Sequence, residues 1–278
     1  MKQNTLVRVM MNAASTLLVA VKFVIKYFFY YRVNRKQLSV LAYKKPSAKV
    51  SVLIATHGVM PLSTRCIANA VRTAGYRNAE FIIYNNNAGP EMERFLSKMK
   101  RKDKRIRVIT SRKNTGLNAY HLGFKEARGE FFVAMDHDVV AFCENWLLML
   151  LEDYIRVPRV KFLAADVIGD DYTDGAKYPA WTYQHVRKDG VALSFGAVGG
   201  WLAMTDRAVY EAVGGFPYFP GQIYFLHDKY YIRKLLLKGY RIAIDERVKV
   251  YHARGLSARI GNETFADRFF TYADKLSF

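Results

Sequence analysis

Apolar and polar positions follow two repeating patterns over most of the chain. Residues 50–56 form a nearly continuous apolar run, which is typical of a parallel strand buried on both faces. A helical pattern follows, with Pro61 suited to its first turn and Gly75 suited to its end. Because apolar runs and helical patterns continue to alternate, the sequence predicts a doubly wound α/β fold with a mostly parallel sheet flanked by helices.

The same criteria predict the later elements. Strands are expected near residues 81–84, 106–110, 131–135, 241–244 and 248–251, and helices near 91–100, 115–127, 146–154 and 228–238. Asp206 is expected to cap a helix that ends at Gly214 and Gly215. Residues 166–195 are irregular and rich in Asp, Gly, Tyr and Pro, which favours loops or a small extra sheet.

Residues 1–45 read as a separate basic segment before one domain over residues 48–278. On a helix, one narrow polar stripe would consist of Arg8, Asn12, Ser15, Lys22 and Lys26. The apolar stretch between Arg8 and Lys22 is too short to span a bilayer, and burying two lysines in one costs about 5 to 7 kcal/mol. An interfacial helix avoids this cost, so we expect residues 1–36 to bind an anionic membrane surface. The alternative is an amphipathic helix packed against protein.

Charge and cysteine content limit the partners and the cellular compartment that we expect. The formal net charge is +19, and the first acidic residue is Glu80. Such a field attracts nucleic acid, anionic lipid or phosphorylated substrates. The basic residues are not interleaved with aromatics in a recognisable module, so no nucleic-acid partner is expected. Cys66 and Cys143 are far apart, which suits a reducing compartment and favours a cytoplasmic protein on the inner face of the membrane.

Polar residues at predicted strand ends are the first candidates for chemistry, because open parallel sheets bind ligands there. Thr56 ends the first strand without a Gly-rich loop, which argues against a P-loop or a dinucleotide fingerprint. Asn85 ends the second strand and offers a donor and an acceptor to a base edge, although asparagine is also common in turns. Asp136 and Asp138 follow the fourth strand. Their paired carboxylates favour a bound Mg²⁺ or Mn²⁺ over a plain acidic turn.

Two later residues are further candidates. Asp228 could act as a general base, and His252 could ligate a metal. The structural alternatives are a helix N-cap for Asp228 and a hydrogen-bonded structural histidine for His252.

The ordered motifs resemble those of the family 2 glycosyltransferases over about residues 50–257. The segments that carry the resemblance are VSVLIATHG, EFIIYNNNAG, NTGLNAYHLGFKEARGEFFVAMDHDV, GGWLAMTDRAVYEAVGGF, LHDKYYIRKLLLKGYRI and VYHARGLS. Each motif alone is weak, but the ordered set is specific. The resemblance implies a Rossmann-like GT-A fold and an inverting transfer of sugar from a nucleotide-sugar donor. The acceptor would be a hydroxyl of a glycan, lipid-linked or phosphorylated molecule in cell-surface polysaccharide or glycolipid synthesis.

The resemblance also implies residue roles. Asp228 would deprotonate the acceptor hydroxyl. The donor would be bound by Thr56, Asn85, Asn114, Gly116, Asp136, Gly200 and Trp201. Gly199 would help to line the sugar and acceptor pocket. Asp138 and His252 would hold the divalent metal cofactor, Mn²⁺ or Mg²⁺.

Three positions depart from the family pattern. Asn85 stands where an aspartate that reads a uracil edge is usual, which weakens the case for a uridine donor. His227 replaces the usual glutamate before the base, and His121 stands where asparagine is frequent. None of these changes removes the base or the metal carboxylates, so we expect an active enzyme. The alternative is a non-catalytic, membrane-bound protein of the same fold that binds carbohydrate or nucleotide without turnover.

Overall fold

A computed structural model describes residues 39–58, 60–168, 177 and 180–252. The predicted membrane-binding segment, residues 1–36, lies outside these ranges, so this prediction and the division into 1–45 and 48–278 stay predictions. Within the described ranges, no helix has the length and apolar character that crossing a bilayer requires.

Ten strands and six α-helices make up the described part of the chain. The strands are β1 (Val50–Thr56), β2 (Ala79–Asn86), β3 (Ile106–Ser111), β4 (Phe131–Asp136), β5 (Val139–Ala141), β6 (Val160–Val167), β7 (Gln184–Lys188), β8 (Val191–Phe195), β9 (Leu202–Asp206) and β10 (Arg241–His252). The helices are α1 (Met60–Thr73), α2 (Pro90–Lys102), α3 (Asn118–Lys125), α4 (Trp146–Arg156), α5 (Arg207–Ala212) and α6 (His227–Leu237).

The strands form one sheet in the order β3-β2-β1-β4-β9-β6-β10-β8-β7, with β5 paired to β10. β1 runs parallel to both β2 and β4, whereas β9 is antiparallel between β4 and β6. β6 and β10 are parallel, and the β7–β8 hairpin closes that side of the sheet. The predicted α/β fold with a mostly parallel, helix-flanked sheet is therefore confirmed.

Apolar side chains of the strands point alternately into two cores, one on each face of the sheet. Val52 and Ile54 pack in the core formed with α1, α2 and α4. Leu53, which lies between them, packs in the core formed with α3, α5 and α6. Burial on both faces explains why β1 reads as a continuous apolar run.

Several boundaries differ from the sequence-based expectations. The two strands expected at 241–244 and 248–251 form the single strand β10, whose pairing with β6 shifts register between Asp245 and Lys249. A register shift brings polar residues into the strand, and these residues interrupt its apolar pattern. The helix expected at 115–127 is shorter, since α3 spans Asn118–Lys125. The predicted cap is confirmed, because Asp206 Oδ1 accepts a hydrogen bond from Val209 N at 2.7 Å.

Candidate functional site

A pocket of about 360 Å³ opens at the carboxyl ends of β1, β2 and β4. These strands are parallel, so their polar end residues meet along one edge of the sheet. The start of α3, residues 223–224 and the end of β10 complete its walls. The pocket therefore lies where open α/β sheets bind ligands.

Asp136, Asp138 and His252 form a triad on the wall of this pocket. Asp136 ends β4, and Asp138 follows two residues later, just before β5. His252 comes from the far end of the chain, and it lies beside them because β10 pairs with β5 through His252 and Val139. His252 Nε2 lies 3.6 Å from Asp136 Oδ2 and 3.4 Å from Asp138 Oδ1.

The triad fits a small divalent cation. One ligand atom from each residue lies within 4.8 Å of the others. Octahedral ligands at about 2.1 Å from an ion are about 3 Å apart when adjacent and about 4.2 Å apart when opposite. The two carboxylates are suitable donors for Mn²⁺ and Mg²⁺, and an imidazole nitrogen favours a transition metal such as Mn²⁺ over Mg²⁺. The residues present can thus hold the metal that the sequence predicts.

The electrostatics of the triad favour a cation. Burial raises the pKa of Asp136; His252 opposes this rise, and Asp138 adds to it. Burial also opposes ionisation of Asp138, but the His252 ring outweighs it and lowers the pKa of Asp138. Among the described residues, the two carboxylates share contact with a histidine, which carries no permanent charge. A divalent ion would neutralise both of them.

Tyr120 fixes the position of Asp136. Its hydroxyl lies 2.7 Å from Asp136 Oδ1 and 2.9 Å from Met135 O, and donates to one of these acceptors at a time. The Tyr120 ring stacks on His227 with centroids 4.8 Å apart and an interplanar angle of 6°. Burial lowers the pKa of His227, so this ring is neutral in the stack. Tyr120 therefore joins the metal carboxylate to the start of α6.

Asp228 lies in the first turn of α6, next to His227. The helix begins at His227 with Leu226 as its N-cap, so the alternative that Asp228 is the N-cap is wrong. Asp228 Oδ2 accepts a hydrogen bond from Gly200 N at 3.0 Å, and Oδ1 accepts one from Lys229 N at 2.7 Å. Its charge contributes to the raised pKa of Asp136. Asp228 is thus oriented by backbone groups and lies within electrostatic range of the triad.

A network of amides closes the other side of the pocket. His57 Nδ1 lies 3.0 Å from Asn86 O, and His57 Nε2 lies 3.0 Å from Asn114 Nδ2. Asn86 Nδ2 donates to Asn114 Oδ1 at 3.0 Å, and Asn86 Oδ1 accepts from Thr115 N at 2.7 Å. Three of these contacts join Asn86 at the end of β2 to the loops after β1 and β3, and the contact between His57 and Asn114 joins those two loops. The network therefore gives the pocket a fixed rim before any ligand enters.

Gly116 permits a close crossing of two loops at the pocket. Its φ is +57°, and a Cβ atom there would lie 1.7 Å from Ile223 O. Leu117 N donates to the same carbonyl oxygen at 2.9 Å. Asn118 adds three bonds: its Nδ2 donates to Phe219 O at 3.0 Å and to Gln222 O at 2.9 Å, and its Oδ1 accepts from Phe219 N at 2.8 Å. We name residues 217–226 the crossing loop.

The remaining sequence-predicted residues lie beside the pocket rather than on its wall. Thr56 and Asn85 are fully buried register partners on β1 and β2. Among the described residues, Thr56 Oγ1 and Asn85 Nδ2 have no hydrogen-bond partner. Trp201 is 4% exposed and donates from Nε1 to Ala165 O at 2.9 Å. A Cβ atom on Gly199 would lie 2.2 Å from the Trp201 ring, so Gly199 provides room for that ring.

Sequence reasoning missed four residues that shape the pocket, which are His57, Asn86, Tyr120 and Ile223. Asn86 directly follows Asn85, the residue predicted to bind the donor, and differs from it only in the direction of its side chain. Strand alternation places Asn85 on the face of Ile83 and Asn86 on the face of Tyr84, but both faces are buried, so alternation alone does not select Asn86. No sequence pattern marks Tyr120 as a site residue, because a residue at an apolar position of a helix normally packs in the core.

The fold and this pocket define a class of protein, the transferases of the GT-A fold. One similar structure is the mannosyltransferase PcManGT from Pyrobaculum calidifontis in complex with GDP-Man and Mn²⁺. It has a TM-score of 0.64 and 18% identity, over 95% of this chain and 75% of that chain. A second is GalNAc-T7 with UDP, GalNAc and Mn²⁺, with a TM-score of 0.59 and 16% identity, over 75% of this chain and 44% of that chain. A third is S. aureus TarS 1-349, with a TM-score of 0.58 and 16% identity, over 74% of this chain and 60% of that chain.

Sequence identities this low establish only the fold, and the family comes from the sequence itself. The chain belongs to Glycosyl transferase family 2, whose family model matches residues 51–214, more than half of its length. Its function is glycosyl transfer, and the resemblance drawn from the motifs is confirmed. A comparison with curated protein sequences gives no match.

Proposed function

We propose that this protein is an inverting, metal-dependent glycosyltransferase that uses a nucleotide-sugar donor. The observation that carries the proposal is the triad of Asp136, Asp138 and His252, which lies on a ligand-sized pocket at the carboxyl edge of the sheet. The two similar structures solved with Mn²⁺ and a nucleotide or nucleotide sugar support it. When bound, the metal would neutralise charge that develops on the departing nucleoside diphosphate.

Asp228 is the proposed general base. Backbone N–H groups of Gly200 and Lys229 hold its carboxylate, and both oxygens keep a lone pair for a substrate hydroxyl. The acceptor oxygen would form a bond to the sugar carbon while the bond to the diphosphate breaks and the hydroxyl proton passes to Asp228. One displacement from the opposite side inverts the configuration at that carbon.

The nucleotide is proposed to lie along the ends of β1 and β2. Asn114 and Gly116 line the pocket there. The unpartnered Thr56 Oγ1 and Asn85 Nδ2 are adjacent, and buried polar atoms without partners are uncommon in proteins. A base edge that reached them would satisfy both atoms. Gly200 and Trp201, on the Asp228 side, are proposed to border the sugar.

Thermal unfolding with UDP, dTDP, GDP and CDP, each with and without Mn²⁺, tests the donor and metal proposals. A nucleotide at a hundred times its dissociation constant adds about 2.7 kcal/mol, which raises Tm by about 5 to 10 °C for a chain of this size. We expect one nucleotide to stabilise the protein only with Mn²⁺. Asp138→Asn should abolish this shift, and the exposed Glu211→Gln should keep it. Binding without any transfer would favour the non-catalytic alternative.

Asp228→Asn tests the base. The variant should fold, since Asn retains the acceptor oxygen for Gly200 N, and should still bind nucleotide with Mn²⁺. Transfer should fall by about 10²- to 10⁴-fold, the usual contribution of a general base. Full transfer by the folded variant would remove Asp228 from this role.

A membrane-proximal site of action is proposed as well, with residues 1–36 bound to an anionic surface on the cytoplasmic face. The support is the net charge of +19 and the lack of acidic residues before Glu80. The acceptor would then be a lipid-linked or phosphorylated glycan of surface-polysaccharide synthesis. Deleting residues 1–36 should release the protein from phosphatidylglycerol vesicles. Equal co-sedimentation of the full and shortened chains would exclude this anchor.

A further inference from the structure

A second cavity, of about 590 Å³, opens beside the triad pocket at the carboxyl end of β6 and along β10. The β7–β8 hairpin forms its outer wall. Its charged lining residues are Asp166, Lys177, His185, Arg187, Glu246 and Lys249. We name it the β6–β10 cavity. No role follows for it from the donor, metal and base assignments above.

The two carboxylates of the β6–β10 cavity are already neutralised by the chain. Asp166 is buried and pairs with both Lys177 and Lys249. Glu246 accepts hydrogen bonds from Ser194 at 2.5 Å and Arg187 at 3.1 Å, and lies 2.6 Å from His185 Nδ1.

These contacts keep Glu246 ionised. Burial opposes its ionisation, but the His185, Ser194 and Arg187 contacts outweigh burial and lower the pKa of Glu246 to about 2. Neither carboxylate of the cavity therefore needs a metal ion.

The balance of charge in the cavity is positive. Three permanent cations, Lys177, Arg187 and Lys249, face the two carboxylates, and His185 adds a charge when protonated. One cation would balance the charge of Asp166, but two lysines pair with it. One lysine can therefore turn to a bound anion while the other stays on the buried carboxylate, which avoids the high cost of an unpaired buried charge. Lys249 is the more exposed of the two, at 47% against 34% for Lys177.

The β6–β10 cavity and the triad are close enough for one short acceptor molecule to contact both. β4 and β6 point the same way with only β9 between them, so Asp136 and Asp166, near their carboxyl ends, are about 10 Å apart. Trp201 lies between the two sites, since its indole nitrogen bonds to Ala165 O and its ring centroid lies 6.5 Å from that of His252. A molecule whose hydroxyl is at the reaction centre could extend across this residue.

We propose that the β6–β10 cavity binds an anionic group of the acceptor, a phosphate or a carboxylate about one sugar unit from the reacting hydroxyl. This inference rests on the proposed function and specifies the class of its acceptor. Lys249 and Arg187 make the contacts with the anion, and Lys177 keeps Asp166 paired. The donor diphosphate and the acceptor anion thus occupy opposite ends of the site, one held through a metal ion and the other by side-chain cations.

Calorimetric titration with glucose 6-phosphate, glucose and inorganic phosphate tests the proposal, with a chelator present so that the triad cannot hold phosphate through a metal. Glucose 6-phosphate should bind at least tenfold more tightly than glucose or inorganic phosphate. Lys249→Gln should weaken it about tenfold, and Arg187→Gln, at a well-exposed position, provides a second variant that folds. Lys188→Gln is the matched control, because Lys188 is on β7 but faces away from His185 and Arg187.

Equal binding of glucose and glucose 6-phosphate, or unchanged binding in both cavity variants, would overturn the proposal. Inorganic phosphate that binds as tightly as glucose 6-phosphate would reduce the cavity to a simple ion site and also overturn it. Stabilisation by nucleotide with Mn²⁺, measured on the same protein preparations without chelator, distinguishes failure of the cavity proposal from failure of the proposed function. If it persists while anion binding fails, only the cavity proposal is lost. If it is missing in every sample while anion binding holds, the proposed donor chemistry fails instead.

Discussion

Two pairs of aspartates in the described part of the chain, one fully buried and one on the pocket wall, have their charges balanced differently. Asp153 and Asp245 are both fully buried, and Arg247 lies against them, with Nη2 2.6 Å from Asp153 Oδ1. Asp136 and Asp138 lie on the pocket wall, and within the described ranges His252 is the basic side chain that contacts both. A guanidinium ion is always charged, whereas an imidazole is not. The first pair is therefore complete within the chain, and the second is left for an external cation.

The pKa shifts of the two pairs support this difference. Burial raises the pKa of Asp245 well above its usual range, and Asp153 adds to the rise. Burial also raises the pKa of Asp153, but Arg247 and a hydrogen bond from Asp245 oppose that rise, so a shared proton is favoured on Asp245. Asp138, in contrast, has a lowered pKa and stays ionised beside the pocket. A carboxylate pair thus indicates a ligand site only where the chain leaves its charge uncompensated.

Asp138→Asn should have the largest effect and act on function alone. Transfer should fall by 10³-fold or more, about 4 kcal/mol, because a ligand of the neutralising metal is lost. Thermal stability without metal should change little, since the change removes both the favourable contact with His252 and the repulsion between two like charges. Asp153→Asn is the matched control and should leave the Mn²⁺ dependence of transfer intact. Loss of Mn²⁺ dependence in Asp153→Asn would erase the distinction between the pairs.

Arg247→Met should do the opposite of Asp138→Asn, because it should lower stability and leave the metal site intact. Removing the cation from a buried pair costs about 3 kcal/mol of unfolding free energy, which lowers Tm by about 6 to 12 °C. The folded fraction should keep its affinity for Mn²⁺. Arg72→Met breaks an exposed ion pair with Glu144 and should change stability by less than about 0.5 kcal/mol. A Tm drop of equal size in both variants would contradict a special role for Arg247.

Tyr120→Phe tests how the metal pair is positioned. The ring can keep its stack on His227, but Asp136 loses its hydrogen bond. A hydrogen bond to a charged group contributes about 1.5 to 3 kcal/mol, so the affinity for Mn²⁺ in the presence of nucleotide should fall about tenfold or more. At saturating Mn²⁺ most of the transfer rate should return. A rate loss that Mn²⁺ does not restore would indicate a structural role for Tyr120 instead.

The smallest expected effect is a pH dependence of the Arg247 pair. Because the folded pKa of Asp245 is raised, its stabilisation is fully present below the unfolded value of about 3.9 and is lost as pH rises through the folded value. Asp245→Asn imitates the protonated form and lacks this loss. The unfolding free energy of the variant should therefore rise relative to that of the wild type as pH rises from 4 to 8, by about 1 kcal/mol if the folded pKa lies one unit above the unfolded one. A constant difference would show that Asp245 is ionised in the fold.

The sequence predicted the elements whose signals are local and missed those that depend on their neighbours. β1 was recognisable because burial on both faces makes it continuously apolar. β9 was missed because Trp201 and Leu202 follow glycines, and its partners are distant in the chain. Asp136 and Asp138 could be chosen from their spacing after a strand. The meeting of His252 with them depends on the pairing of β10 with β5, which no local pattern encodes.

The crossing loop has a consequence for how such an enzyme can change over time. Its position depends on main-chain atoms, since Gly116, Leu117 and Asn118 all contact its backbone. The side chains of Tyr218, Ile223 and Tyr224 are exposed. Substitutions at these positions can therefore alter what the loop presents to an incoming molecule without moving the loop. Mutation of these three exposed side chains, on a loop whose backbone is held in place, is thus a direct starting point for evolving new selectivity.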